Sequence, residues 1–216
     1  TFGNLDSNNI EGNSSGSIII GGFDNGITGS KITSIICSSG SSILSSSVSS
    51  IIGGRNHKIL RENDSTQQTA VNLIIGGNSN KITGSSTYAL GQNSVVDNVM
   101  VGGSSNQINI GQFNTIIGGL SNSVVSESGI EGGSLPDNRK PQYNVILGGT
   151  FGKIRHGAQY STIIGSEGIE LGDDGNVIGT GSGVVTAGAI IASGDNNNVH
   201  HSYSSIIGMT GKTTTA

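Results

Sequence analysis

The sequence predicts an all-β protein, a parallel β-solenoid of about 13 rungs, on three observations. Apolar residues open a repeat at Ile19, Ile35, Ile51, Ile74, Ala89, Met100, Ile116, Ile130, Ile146, Ile163, Val177, Ile190 and Ile206, with a mean spacing of about 15.6 residues. A second apolar residue follows eight positions later in most units, at Ile27, Ile43, Ile59, Ile82, Ile108, Val124, Ile154, Leu171 and Val185. Long helices have little to build with: Gly reaches 37 of 216 residues, charged residues make up 11% and aromatics 4%, and Gly, Ser, Asn, Ile and Val are all poor helix formers.

A unit of this length is too short for two helices and a turn, but it suits one coil with two short strands and two bends. The first strand carries the Ile-Ile pair. Two glycines follow it in units such as Gly53/Gly54, Gly76/Gly77, Gly102/Gly103 and Gly118/Gly119. A glycine column means positive φ or the close approach of another backbone. Six residues after each start, Asn25, Asn80, Asn106, Asn122 and Asn196 alternate with Gly152 and Gly183, which predicts a left-handed turn corner with Asn side chains hydrogen-bonding up the column. The second strand ends near the apolar residue at offset eight.

Three residues before each start lies a further column, Ile32, Val48, Val71, Phe113, Tyr143, Tyr160 and Tyr203. Aromatics repeated on one edge of successive rungs stack as a ladder of offset rings. We expect a packed seam there, with a row of sugar-stacking platforms as the alternative. Cys37 stands where most units carry the first glycine and is expected to fill a tight slot; one cysteine excludes an internal disulfide.

Neighbouring residues of a strand point to opposite faces, so Ile19/Ile20, Ile51/Ile52, Ile116/Ile117 and their equivalents put isoleucine on both sides of one sheet. One face fills the coil. The other needs a cover, because a wetted apolar stripe along the whole rod exceeds what monomers tolerate. Closed cyclic symmetry makes a homotrimer, intertwined or side by side, the expected assembly. The chain thus reads as a single solenoid domain over 1–216.

The repeat, in the stretches Ser34 to Cys37, Ser50 to Gly54, Asn114 to Gly119, Ser161 to Gly165 and Ser205 to Gly208, resembles the head domains of trimeric autotransporter adhesins and related repeats of phage tail fibres and large-virus surface proteins. The resemblance implies a left-handed parallel β-roll, a trimeric rod, and an extracellular place on a cell surface or a virion or tail fibre. It also implies contact with a host receptor or surface glycan. The rung here is slightly longer, Ile often replaces a small Ala, and Gly-Gly replaces a single Gly. No neck, heptad stalk or membrane-anchoring barrel is visible.

Two interruptions, at 60–72 and 131–143, are read as surface loops, where recognition usually evolves on a rigid repeat. They concentrate charge and both prolines. The candidate receptor or glycan contacts are Arg61, Glu62, Asp64 and Gln67 in the first, and Asp137, Arg139, Lys140 and Tyr143 in the second.

Other functions are disfavoured by composition. A net charge of −4 without a basic stripe argues against nucleic acid, and no apolar run approaches a membrane span. Polysaccharide cleavage by a tail spike, the alternative reading, needs paired carboxylates in a groove; Glu167, Glu170, Asp173 and Asp174 form the dense acidic stretch but read as solvated turn residues. No catalytic residue, cofactor or metal is assigned. The adjacent His200 and His201 are the weak candidates for an ion near a trimer axis.

Overall fold

The computed structural model describes residues 7–61, 69–84, 97–109, 112–125, 143–155, 158–171, 186–187, 190–195, 198–199, 205–210 and 213–214. Among them all regular structure is β-strand, and the strands pair in parallel. Ten strands form one sheet, beginning Ile18–Ile20, Ser34–Ile36, Ser50–Ile52, Leu73–Ile75 and Val99–Val101 and ending at Ser205–Thr210. Eleven form a second, from Asn9–Glu11 through Gly26–Thr28, Ser42–Leu44 and Lys58–Arg61 to Thr213–Thr214. Consecutive strands alternate between the two sheets through most of the chain, so each turn of chain adds one strand to each sheet and the architecture is a β-solenoid.

The central residue of each short strand points inward. Ile19, Ile35, Ile51, Ile74, Ile116, Ile146 and Ile163 of the first sheet are fully buried against Ile27, Ile59, Ile82, Ile108, Val124 and Ile154 of the second. The offset of eight between the two apolar residues is the distance from one inner wall to the other. Full burial of each such side chain contributes about 1.5–3 kcal/mol.

Each rung is two half-turns of the same plan. A buried polar residue precedes most of these strands: Thr33, Ser49, Asn72, Asn98, Asn114, Asn144 and Ser161 before the first sheet, and Asn25, Ser41, His57, Asn80, Asn106 and Asn122 before the second. In both columns the side chain accepts the backbone N–H of its counterpart one rung on. Asn114 takes Asn144 N–H at 3.2 Å and Asn144 takes Ser161 N–H at 2.9 Å. Asn80 takes Asn106 N–H at 3.1 Å and Asn106 takes Asn122 N–H at 2.9 Å. These ladders satisfy backbone groups where the chain turns and the sheets supply no partner.

The expected left-handed corner is displaced by one residue. Asn25, Asn80, Asn106 and Asn122 face inward, and positive φ falls on the residue before each: Asp24, Ser79, Ser105 and Ser121 at 54° to 56°. The physical reason is division of labour: an inward side chain bonds the next rung while its outward neighbour makes the bend. The same device at the other corner forces Ile32, Val48, Val71, Phe113, Tyr143 and Tyr160 to φ of 52° to 56°. Such values are strained for β-branched and aromatic residues. Backbone bonds to the preceding rung hold them there, Ile32 N–H to Ser15 O at 2.9 Å and Val48 N–H to Lys31 O at 2.9 Å.

The glycine pair meets both expected requirements, divided between its members. Gly102 has φ of 65° and open space around it, whereas Gly103 has φ of 70° and a Cβ there would lie 2.6 Å from the carbonyl oxygen of Gly119. Only the second position is closed to every side chain. Cys37 occupies the open first position with φ of 50° and is exposed, which corrects the tight-slot expectation.

Register also decides which described units are neighbours. Leu73–Ile75 pairs directly with Val99–Val101, Thr115–Ile117 with Val145–Leu147, and Thr162–Glu167 with Ile190–Asp195. Directly bonded strands stand about 4.8 Å apart, which leaves no room for another between them. Ala89, Ile130 and Val177, the unit starts counted between these pairs, lie outside the described residues. Ile191 and not Ile190 aligns with Ile163 and Ile206.

Candidate interaction surface

In each first-sheet strand the residues flanking the buried centre point outward. Ile20, Ile52, Ile75, Ile117 and Ile164 are 37% to 44% exposed and Ile207 is 69% exposed, while their chain neighbours Ile19, Ile51, Ile74, Ile116 and Ile163 are at 0%. The two-sided isoleucine pattern is therefore realised, with one row wetted. Sequence reasoning missed a parallel row on the other flank, Ile18, Leu73, Val99 and Val145, interleaved with Ser34, Ser50, Thr115 and Thr162. Its signal was present in the period-2 alternation of strands, since positions on either side of a buried residue share a face. From Leu73 to Leu147 the outer face is almost wholly apolar.

This face continues onto the edge that carries Ile32, Val48, Val71, Phe113, Tyr143 and Tyr160, all exposed. The three described aromatics stack on one another: Phe113 and Tyr143 have ring centroids 4.7 Å apart and planes 2° apart, and Tyr143 and Tyr160 are 4.9 Å and 1° apart. The spacing is that of the strands. Sugar stacking requires a free ring face, and both faces of Tyr143 are covered by its neighbours. The seam reading fits this geometry, and at Tyr143 the platform reading does not. Tyr203 lies outside the described residues.

Of the candidate loop contacts, Tyr143 is the middle ring of that stack, and Arg61 ends the strand Lys58–Arg61 with its backbone opposite Gly84. Glu62, Asp64, Gln67, Asp137, Arg139 and Lys140 lie outside the described residues, as do most of 60–72 and 131–143. In the chain order, residues 62–68, 85–96, 126–142 and 172–185, outside the described residues, each follow a second-sheet strand.

The outer face of the second sheet is different in kind. Its outward positions hold Ser42, Lys58, Lys81, Gln107, Ser123 and Lys153 on one flank and Glu11, Thr28, Thr83 and Asn109 on the other, with apolar Leu44, Leu60 and Val125 among the latter; Thr83 is buried there, as is the side-chain oxygen of Asn109. Lys58 and Lys81 are register partners on adjacent rungs, and Lys58 is exposed. Of the acidic stretch, Glu167 is exposed; Asp173 and Asp174 lie outside the described residues.

Among the described residues no three His, Cys, Asp or Glu side chains are grouped to hold a metal ion, and His200 and His201 fall outside them. Among the same residues no helix is long and apolar enough to cross a membrane. No protein-family model, curated protein or solved structure matches the chain.

Proposed function

We propose that the chain is a structural and adhesive surface-fibre segment, a rigid rod that bundles as a homotrimer through the outer face of its first sheet. The observation that carries this reading is the row Ile20, Ile52, Ile75, Ile117 and Ile164, each 37% to 44% exposed beside a fully buried chain neighbour. A rod built this way has one broad apolar face that gains from burial, and three copies around an axis cover that face without leaving an open end to polymerise sideways.

In this reading the repeat is scaffold. The connections that leave the second sheet, with Arg61, Glu62, Asp64, Gln67, Asp137, Arg139 and Lys140, supply the contacts to a host-cell receptor or surface glycan, outside the cell and on a cell surface or a virion or tail fibre. The left hand of the β-roll belongs to this proposal through the likeness of the repeat to adhesin heads. Enzymatic turnover is not part of it.

The test has two steps. Sedimentation of the purified chain is expected to give a trimer; a stable monomer with a soluble outer face ends the proposal. Binding of that trimer to a glycan array, followed by inspection of captured chains for shortening, then separates adhesion from polysaccharide cleavage.

A further inference from the structure

Among the described residues, the buried polar column ahead of the second sheet holds one ionisable side chain. Asn25 and Ser41 stand below it and Asn80, Asn106 and Asn122 above; His57 sits between, fully buried. Its Nδ1 accepts the backbone N–H of Asn80 at 3.3 Å, in the place where an Asn oxygen accepts at other rungs. An accepting ring nitrogen carries no proton, so the neutral ring keeps its hydrogen on Nε2. Nε2 has no hydrogen-bond partner among the described residues and lies where a Cβ on Gly54 would come within 2.2 Å of it.

We infer that His57 is an acid-sensitive latch: protonation at Nδ1 unpins the rung that begins at Leu73 from the rung that begins at Ser50, and weakens the rod at that level as pH falls. A new Nδ1–H meets the Asn80 N–H donor to donor, and a buried acceptor site is lost. Among the described residues of its own half-rung and of the two stacked on it, 53–61, 37–47 and 76–84, no carboxylate is present to compensate the new charge: the ionisable groups there are Arg55, Lys58 and Arg61 beside it, Lys81 above and the exposed Cys37 thiol below.

Burial accordingly pushes the His57 ring below its ordinary 6.5. The unfolded or opened chain takes up the proton first, so the contribution of this rung is intact above the ordinary value and declines as pH falls through and below it. The inference concerns the fold of one chain and stands apart from any trimer.

The test compares the full chain with its His57→Asn variant, which restores an acceptor and a donor and cannot titrate, while His156, His200 and His201 remain as an internal control. For the native chain, lowering pH from about 7.5 to about 5 is expected to depress the thermal midpoint and to speed amide exchange of Asn80 by at least about tenfold. His57→Asn is expected to remove most of both effects. An equal acid response in the two chains overturns the latch. Should the variant not fold, the histidine ring nitrogens of the native chain are titrated by NMR: loss of a neutral Nε2–H His57 in step with Asn80 exchange supports it. His57 titrating at the ordinary value without any change at Asn80 overturns it.

Discussion

The two outer faces of the rod share one backbone plan and differ in what the flanking residues of each strand carry. Both sheets bury the central residue of three. On the first sheet the flanks are Ile18/Ile20, Leu73/Ile75, Val99/Val101 and Val145/Leu147; on the second they are Ser42/Leu44, Lys58/Leu60, Lys81/Thr83 and Gln107/Asn109. Because the inner positions are equivalent, the coil does not require the outer contrast. The difference teaches that the outer isoleucines serve something beyond closing one chain's core.

The largest effect expected from breaking this contrast is at the face itself. Combining Ile75→Lys with Ile117→Lys puts unpaired charge into each proposed contact of a cyclic assembly, and the assembly is expected to weaken by more than about a hundredfold, read by sedimentation. The same charge added on the second sheet, as Gln107→Lys, is expected to leave the mass unchanged. Loss of assembly from both would falsify the one-sided interface.

Next in size is the wall the faces share. Ile116→Ala, one residue from Ile117, is expected to cost about 2–5 kcal/mol in chemical denaturation, because it opens a cavity between two rungs. Ile117→Ala is expected to leave the stability of the single chain within about 1 kcal/mol, since that side chain is already half in water. Similar losses from the two would mean that Ile117 is covered within the single chain.

The corner ladders sharpen the comparison further. Asn106→Ala leaves Asn122 N–H and the Gly118 carbonyl without the partners they have at 2.9 and 3.0 Å, and Asn114→Ala likewise strands Asn144 N–H. Each is expected to cost about 1–3 kcal/mol. Comparable values establish that the two halves of the rung are energetically alike even though their outer faces are not.

The smallest effect is at the aromatic edge. Tyr143→Ala removes the middle ring of the Phe113–Tyr143–Tyr160 stack and is expected to lower stability by about 0.5–1.5 kcal/mol beyond its area term. Glycan affinity is expected to be unaffected by this change. A large loss of binding with unchanged stability would return the edge to the list of recognition sites.

Much of the coil was legible because its signals are local. The apolar pair, the residue at offset eight and the glycine pair each follow from which backbone conformations and faces a few adjacent residues allow. Register was less legible. Spacing along the chain does not say that Ile74 pairs directly with Met100, Ile116 with Ile146 and Ile163 with Ile191. The corner was misplaced for a related reason: Asn tolerates positive φ, but Asn106 is more useful turned inward, and Ser105 makes the bend.

By itself the sequence determined the strand period, the two-sided isoleucine rows and the aromatic column, since these depend on alternation and composition along the chain. Tertiary structure decided which coil lies on which, that His57 takes an asparagine's place in a closed column, and that both ring faces of Tyr143 are covered by Phe113 and Tyr160. Those outcomes depend on contacts between residues one full coil apart, and the distance along the chain between such partners varies with every insertion.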